Sequence, residues 1–141
     1  MARKAQQITC HELMHAATAH LKLPSWLNEG LAMLTVDHFV GLPTVKTETA
    51  ATLAHAPDTP RSRRYPQDPD ALVYLYVRGY WLTRYFEETR PGMLKGLLIQ
   101  RYPRVELEKR IATAYNSEHA VFWRGLDRTV ATYFGQGKEE V

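Results

Sequence analysis

Two histidines and a glutamate near the start of the chain have the spacing of a metal site. His11 and His15 are four residues apart, so on a helix they lie one turn apart on one face and both imidazoles can bind a single ion. Glu12 lies one position past His11, at the edge of that face. There it can accept a proton from a water on the ion without being a ligand itself. The pattern therefore predicts a zinc site with a general base beside it.

Catalytic zinc sites have three protein ligands and keep a fourth position for water. Glu29 is the predicted third ligand. If the chain turns at residues 22–24 and a second helix begins at Trp26, Glu29 lies about 6 Å along the returning helix, and an antiparallel hairpin brings its carboxylate back to the histidines. His20 is the competing candidate. At ~100° per residue it is rotated by about 140° from His15, so we expect a surface histidine instead.

The run HELMH followed by LPSWLNEGLA resembles the gluzincins, the zinc peptidases whose ligands are two histidines and a glutamate. The short spacer is most similar to that of the short bacterial peptidase MA-like domains. The resemblance implies Zn²⁺ held by His11, His15 and Glu29, with Glu12 as general base and a peptide or protein as substrate. It also implies a mainly α, zincin-like domain in which the HExxH helix hairpin packs against a C-terminal helical bundle.

A tyrosine-rich segment at residues 74–80 offers a further catalytic group. Residues 76–79, Tyr-Val-Arg-Gly, resemble the Tyr-x-Lys-Gly segment of aminopeptidase-type gluzincins, whose tyrosine hydroxyl stabilises the oxyanion. Such a donor is needed because attack on a peptide carbonyl builds negative charge on oxygen. Tyr76 is the predicted donor and Tyr80, one turn further, is the alternative, although both also suit the core face of an amphipathic helix. Gly79 would let a neighbouring helix approach closely.

The chain departs from the gluzincin pattern in three places. Thermolysin-like enzymes have an aspartate four residues after the glutamate ligand, where this chain has Met33. Asp37, one turn later, is the candidate for orienting a zinc histidine. Gluzincins present substrate along a sheet that precedes the HExxH helix, and with ten residues before His11 this upstream β-sheet subdomain is expected to be missing. The Gly-x-Met-Glu-Asn type of motif that holds a free amine in aminopeptidases is absent, which favours an endopeptidase.

The elements that must position these residues are predicted to be helices. Helical patterns cover six segments: 3–20, 26 to about 40, 70–89, 93–101, 104–116 and 118–134. Ser25 is the predicted N-cap of the second helix. Five of the eight prolines fall between positions 43 and 69, which predicts a long loop with a short helix near residues 49–53. Residues 1–141 are predicted to be a single domain with a frayed tail at 135–141.

Composition limits the choice of partners. The chain is 45% hydrophobic and 23% charged, as in ordinary globular domains, and no apolar stretch approaches the ~20 residues that cross a bilayer. Net charge is +3, but arginines outside the cluster at 61–64 are spread among acidic residues, so no nucleic-acid partner is predicted. The cluster of Arg61, Arg63 and Arg64 is interpreted as a solvated loop rather than a phosphate site.

Two functions are compatible with these patterns. The first is a zinc-dependent peptidase, in which zinc polarises the peptide carbonyl and Glu12 moves a proton from water to the leaving amine. The second is a non-catalytic helical interaction module of a larger protein. It would keep a structural or vestigial zinc site and bind a partner through the 43–69 loop.

Overall fold

The computed structural model of the chain describes residues 2–55 and 61–139, and no strand occurs within these residues. They form six α-helices: α1 (Ala2–Thr18), α2 (Ser25–Val40), α3 (Pro69–Thr89), α4 (Met93–Leu97), α5 (Arg104–Ala114) and α6 (His119–Glu139). Two 3₁₀ helices, Ala19–Leu21 and Thr47–Ala54, follow α1 and α2. The mainly α class is confirmed. Within the same residues, no helix is both long and apolar enough to cross a membrane.

The helix ends differ from the predicted ones. Helix α1 gives way to a 3₁₀ turn at Ala19, α4 ends at Leu97 instead of 101, and α5 ends at Ala114 instead of 116. Helix α6 continues past the predicted end at 134 to Glu139. The short helix expected near 49–53 is the 3₁₀ helix Thr47–Ala54. Residues 56–60 of the predicted loop and 140–141 of the predicted tail lie outside the described residues.

The turn between α1 and α2 makes the expected antiparallel hairpin. Lys22 adopts a left-handed conformation (φ 54°) and its N–H donates to the carbonyl of Ala19 at 3.3 Å. The predicted N-cap role of Ser25 is wrong, because Ser25 is already helical and Pro24 precedes it. Both the N–H and the hydroxyl of Ser25 donate to the carbonyl oxygen of Ser62, at 2.8 and 3.0 Å. A carbonyl from a distant loop thus satisfies the start of α2.

Helices α2 and α3 approach each other at two glycines. A Cβ at Gly79 would collide with the carbonyl oxygen of Trp26, and one at Gly30 would collide with the carbonyl oxygen of Gly79 and the hydroxyl of Thr83. Only glycine permits backbones this close. The close approach predicted at Gly79 is therefore confirmed, and it brings the backbones of α2 and α3 into contact.

The core is rich in aromatic side chains. The Trp26 ring of α2 packs against Phe86 and Trp123, with centroids 6.1 and 5.8 Å apart, and Trp81 is fully buried. Helix α1 packs on another side of α2. Helix α2 therefore packs against both the core and α1, and these neighbours hold in place the side chains that it carries.

Candidate metal centre

The three predicted ligands lie together between α1 and α2. Nε2 of His11 and Nε2 of His15 lie 3.1 and 3.2 Å from Oε2 of Glu29. The two imidazole centroids are 4.6 Å apart. Glu29 is buried and the histidines are half-buried. Within the described residues, this is the group of His, Cys, Asp and Glu side chains that could hold a metal ion.

The two distances between Glu29 and the imidazoles can be compared with those of a tetrahedral zinc site. Zinc lies about 2.0–2.2 Å from imidazole nitrogen and carboxylate oxygen, which puts neighbouring ligand atoms about 3.3 Å apart in a tetrahedron. The distances from Glu29 Oε2 to the two imidazoles, 3.1 and 3.2 Å, are close to this value. Two imidazoles and one carboxylate are also a donor set of catalytic zinc sites. The donor set is therefore one that could hold a metal ion, with the three ligand atoms within 4.8 Å of one another.

Asn28 supports this group from the residue before Glu29. Nδ1 of His15 lies 3.1 Å from Oδ1 of Asn28. An Nδ1–H that donates to this oxygen fixes the tautomer in which Nε2 has a free lone pair, which is the form that binds a metal. Sequence reasoning missed this role. The sequence does place Asn28 beside a ligand, but an asparagine in that position has no distinctive spacing.

Tyr65 is the other residue that the sequence did not indicate. Its hydroxyl donates to Oε1 of Glu29 at 3.1 Å and accepts from Nδ2 of Asn28 at 3.0 Å. Burial and the negative charge of Glu29 raise the pKa of Tyr65 to about 12, against the opposing effect of the Asn28 hydrogen bond. The phenol is therefore neutral near pH 7 and can donate. Tyr65 lies 36 residues from Glu29, and no local pattern connects them.

Glu12 lies where the motif predicts it, on the exposed edge of α1. It is not part of the metal-holding group. Together with His11 it lines a cleft of about 240 Å³ between α1 and α2, whose other wall includes Met33 and Val36. A carboxylate beside a ligand and open to a cleft can exchange protons with water or substrate there.

Tyr76, the predicted oxyanion donor, lies half-buried on α3. Burial raises the pKa of Tyr76, and the charges of Glu29 and Glu12 raise it further. The hydroxyl is therefore within electrostatic reach of both site carboxylates. None of the hydrogen bonds among the described residues involves it, so the hydroxyl is available to another acceptor.

Tyr80 and Arg78 have other partners. The fully buried Tyr80 donates to Oδ2 of Asp37 at 2.6 Å, so this hydroxyl is engaged and Tyr76 remains the candidate donor. Arg78, at the position of the lysine in the gluzincin segment, pairs with Asp127 of α6 at 3.3 Å. The arginine therefore links α3 to α6.

The predicted role of Asp37 in orienting a zinc histidine is wrong. Its carboxylate accepts from the hydroxyl of Tyr80 and from both the N–H and the hydroxyl of Thr44, at 2.8 and 2.6 Å. Asp37 lies near the end of α2, where the chain turns at Gly41, and it closes that turn. His20 is exposed and outside the metal-holding group, as predicted.

The interpretation of the arginine cluster is wrong for Arg61. Its guanidinium bonds to the buried carboxylate of Glu108 at 3.2 Å and lies 4.7 Å from the centroid of the Trp123 ring. Arg63 and Arg64 are exposed, as expected of a solvated loop. One arginine of the three is thus an anchor, because Glu108 in α5 offers a buried charge that needs a partner.

Comparisons with known proteins give no match. No protein-family model matches the chain, and no curated protein or solved structure matches it either. The resemblance to gluzincins therefore rests on the motifs between His11 and Glu29 and on the partial match at Tyr76.

Proposed function

We propose that this chain is a zinc-dependent peptidase of gluzincin type, which hydrolyses peptide bonds. The observation that supports this most strongly is the convergence of His11, His15 and Glu29, with Oε2 of Glu29 3.1 and 3.2 Å from the two imidazoles. Sequence spacing and side-chain geometry select the same three residues. An ordinary helix hairpin has no reason to bring two imidazoles and a buried carboxylate to one point.

Bound zinc would polarise the substrate carbonyl and lower the pKa of a water to about 7. Glu12 accepts the proton of the attacking water and returns it to the leaving amine. Its position supports this role, since it shares a cleft with His11 but is not a ligand. Glu29, His15 and Asn28 hold the ligand geometry and take no part in the proton transfer.

Tyr76 donates a hydrogen bond from its hydroxyl to the oxyanion that forms on the substrate. Its hydroxyl makes no hydrogen bond among the described residues, and a phenol is protonated at neutral pH, so it can donate to a new acceptor. A donor fixed on α3 needs no reorganisation as charge develops, which is how such groups lower the barrier. Glu29 and Glu12 both affect the pKa of Tyr76, which supports a location beside the reacting groups.

The cleft beside Glu12 suggests the class of substrate side chain. It has a volume of about 240 Å³ and is lined by Ile8, Met33 and Val36 together with polar residues. A mainly apolar wall favours an apolar side chain of the peptide, because burial removes apolar surface from water. We therefore propose that peptides with an apolar residue near the scissile bond are preferred.

Replacing the general base tests this function. Glu12→Gln should keep stoichiometric zinc and the melting temperature of the unsubstituted chain. It should lower hydrolysis of an unfolded protein substrate by about 10²–10⁴-fold or more, because the amide cannot accept a proton. Zinc content, melting temperature and rate are measured on the same preparations. Glu48→Gln, at an exposed position in a 3₁₀ helix, is the matched control and should change none of them.

The possible outcomes separate the two functions. Loss of zinc in Glu12→Gln would make Glu12 a ligand, and full activity would end its role as a base. A chain that binds zinc tightly but cleaves none of a broad set of peptides, whether or not Glu12 is present, would favour the non-catalytic interaction module.

A further inference from the structure

Residues 61–65, which we name the strap, run from the C-terminal helices to the metal-holding group. The upstream end is fixed by Arg61, whose guanidinium bonds to Glu108 at 3.2 Å and lies over Trp123 at 4.7 Å. Glu108 is only 4% exposed. A paired charge buried to this extent is costly to separate, so this end of the strap has a single favourable position.

The middle of the strap is fixed to the start of α2. The carbonyl of Ser62 accepts from the N–H and the hydroxyl of Ser25, at 2.8 and 3.0 Å. After the strap the chain enters α3, whose first turn is capped by the side chain of Asp68 accepting from the N–H of Ala71 at 2.9 Å. Tyr65 thus lies between the contact at Ser62 and the capped start of α3.

The hydroxyl of Tyr65 closes a ring of hydrogen bonds around two ligands. It donates to Oε1 of Glu29 at 3.1 Å and accepts from the amide of Asn28 at 3.0 Å. The same Asn28 side chain accepts from the imidazole of His15, 3.1 Å away. One phenol therefore contacts the carboxylate ligand directly and the second histidine through one amide.

We propose that Tyr65 is a positioning residue of the metal centre. Its hydroxyl holds Oε1 of Glu29, so that the carboxylate presents only Oε2 to the ion, and through Asn28 it fixes the imidazole of His15. The proposal rests on the metal ion of the proposed function but not on hydrolysis. It makes the strap, rather than α1 and α2 alone, responsible for the geometry of the ligands.

A glutamate ligand needs such a partner because its carboxylate has two oxygens. An unrestrained glutamate can bind a metal through both oxygens and so fill the position that a catalytic site keeps open. A hydrogen bond to one oxygen opposes this and also orients the ligand. Loss of such outer partners typically lowers metal affinity by about 10–100-fold.

The test compares Tyr65→Phe with a matched control in the full chain. Tyr133 on α6 is 40% exposed, close to the 41% of Tyr65, and its ring packs edge-on against Tyr85. We expect Tyr65→Phe to weaken Zn²⁺ binding by about 10–100-fold. In Co²⁺-loaded samples we expect weaker visible absorption, because the coordination number rises above four. Tyr133→Phe should match the unsubstituted chain in both measurements.

A second substitution tests the strap itself. Arg61→Lys keeps a charge beside Glu108 but loses the planar group over Trp123. It leaves Tyr65 in place, so we expect a smaller loss of zinc affinity in the same direction. Affinities are expressed per folded molecule from circular dichroism, so any loss of stability is counted separately.

The outcomes distinguish this proposal from the proposed function. If the unsubstituted chain binds no zinc, both are wrong. If it binds zinc and Tyr65→Phe keeps the same affinity and the same Co²⁺ spectrum, Tyr65 has no positioning role, while the metal centre and the peptidase proposal stand. A lowered melting temperature with an unchanged spectrum would likewise reduce Tyr65 to a structural residue.

Discussion

Helix α2 carries two carboxylates that each accept a hydrogen bond from a tyrosine, and only one of them belongs to the metal-holding group. Tyr65 donates to Glu29 at 3.1 Å, and Tyr80 donates to Asp37 at 2.6 Å. The remaining oxygen makes the difference. In Asp37 it accepts from Thr44, whereas in Glu29 it faces two imidazoles. Of the two carboxylates, only Glu29 thus has an oxygen placed to bind an ion together with the imidazoles.

Raised pKa values do not separate the two pairs. Burial, the first cause in both, raises the pKa of Tyr65 and of Tyr80 to about 12. A shifted pKa indicates a functional site only in combination with geometry, because hydrogen-bond networks with a purely structural role shift pKa values as well. The comparison between the Glu29 and Asp37 regions is therefore best tested by substitutions that read out catalysis and stability separately.

The largest contrast is expected between the two tyrosines of α3. Tyr76→Phe should lower kcat by about a hundredfold, or about 3 kcal/mol, with little change in KM or melting temperature, because it removes an oxyanion donor. Tyr80→Phe should leave kcat per folded molecule unchanged. It should cost about 1–3 kcal/mol of stability, because Asp37 loses a donor. Steady-state kinetics and urea unfolding on both variants measure these effects.

Equal and small effects of both substitutions on kcat would mean that neither hydroxyl serves the oxyanion. A large loss of kcat in Tyr80→Phe alone would reverse the comparison. It would make the Asp37 region, and not the surroundings of Glu29, the one that supports catalysis.

A smaller effect should appear in the pH dependence of stability. The pKa of Tyr80 rises from 10.0 to about 12 in the folded chain, so the folded state holds its proton more tightly than the unfolded state. Its contribution is complete below pH 10 and is lost as pH rises from 10 to about 12, where the unfolded chain ionises first. The free energy of unfolding should therefore fall over this range. The fall should be shallower in Tyr80→Phe, and identical slopes would contradict the assignment.

The convergence of His11, His15 and Glu29 could be predicted from sequence because its geometry is local. His11 and His15 are one helical turn apart, and a short hairpin alone returns Glu29 to them. The partners of these residues could not be predicted in the same way. Tyr65 reaches Glu29 across 36 residues that include the proline-rich loop, where no periodicity fixes which side chain meets which helix.

The error at Asp37 has the same origin. The sequence shows the spacing of Asp37 from Glu29. It does not show that the chain turns after Gly41 and brings Thr44 back to donate to the Asp37 carboxylate. Arg61 became an anchor because a buried Glu108 from α5 needed a charge partner, a pairing between distant elements. The helical fold class could be predicted from hydrophobic pattern and helix propensity. Helix ends and long-range polar contacts could not, because they depend on tertiary packing.

Zinc content of the purified chain tests the metal centre without any assumption about activity. It is measured by mass spectrometry after equilibration with Zn²⁺ and removal of the excess. We expect one zinc per chain in the unsubstituted protein, in Asp37→Asn and in His20→Ala. In Glu29→Ala we expect an affinity lower by orders of magnitude, because water replaces a carboxylate ligand poorly. A zinc-free unsubstituted chain, or unchanged zinc retention in Glu29→Ala, would contradict this expectation.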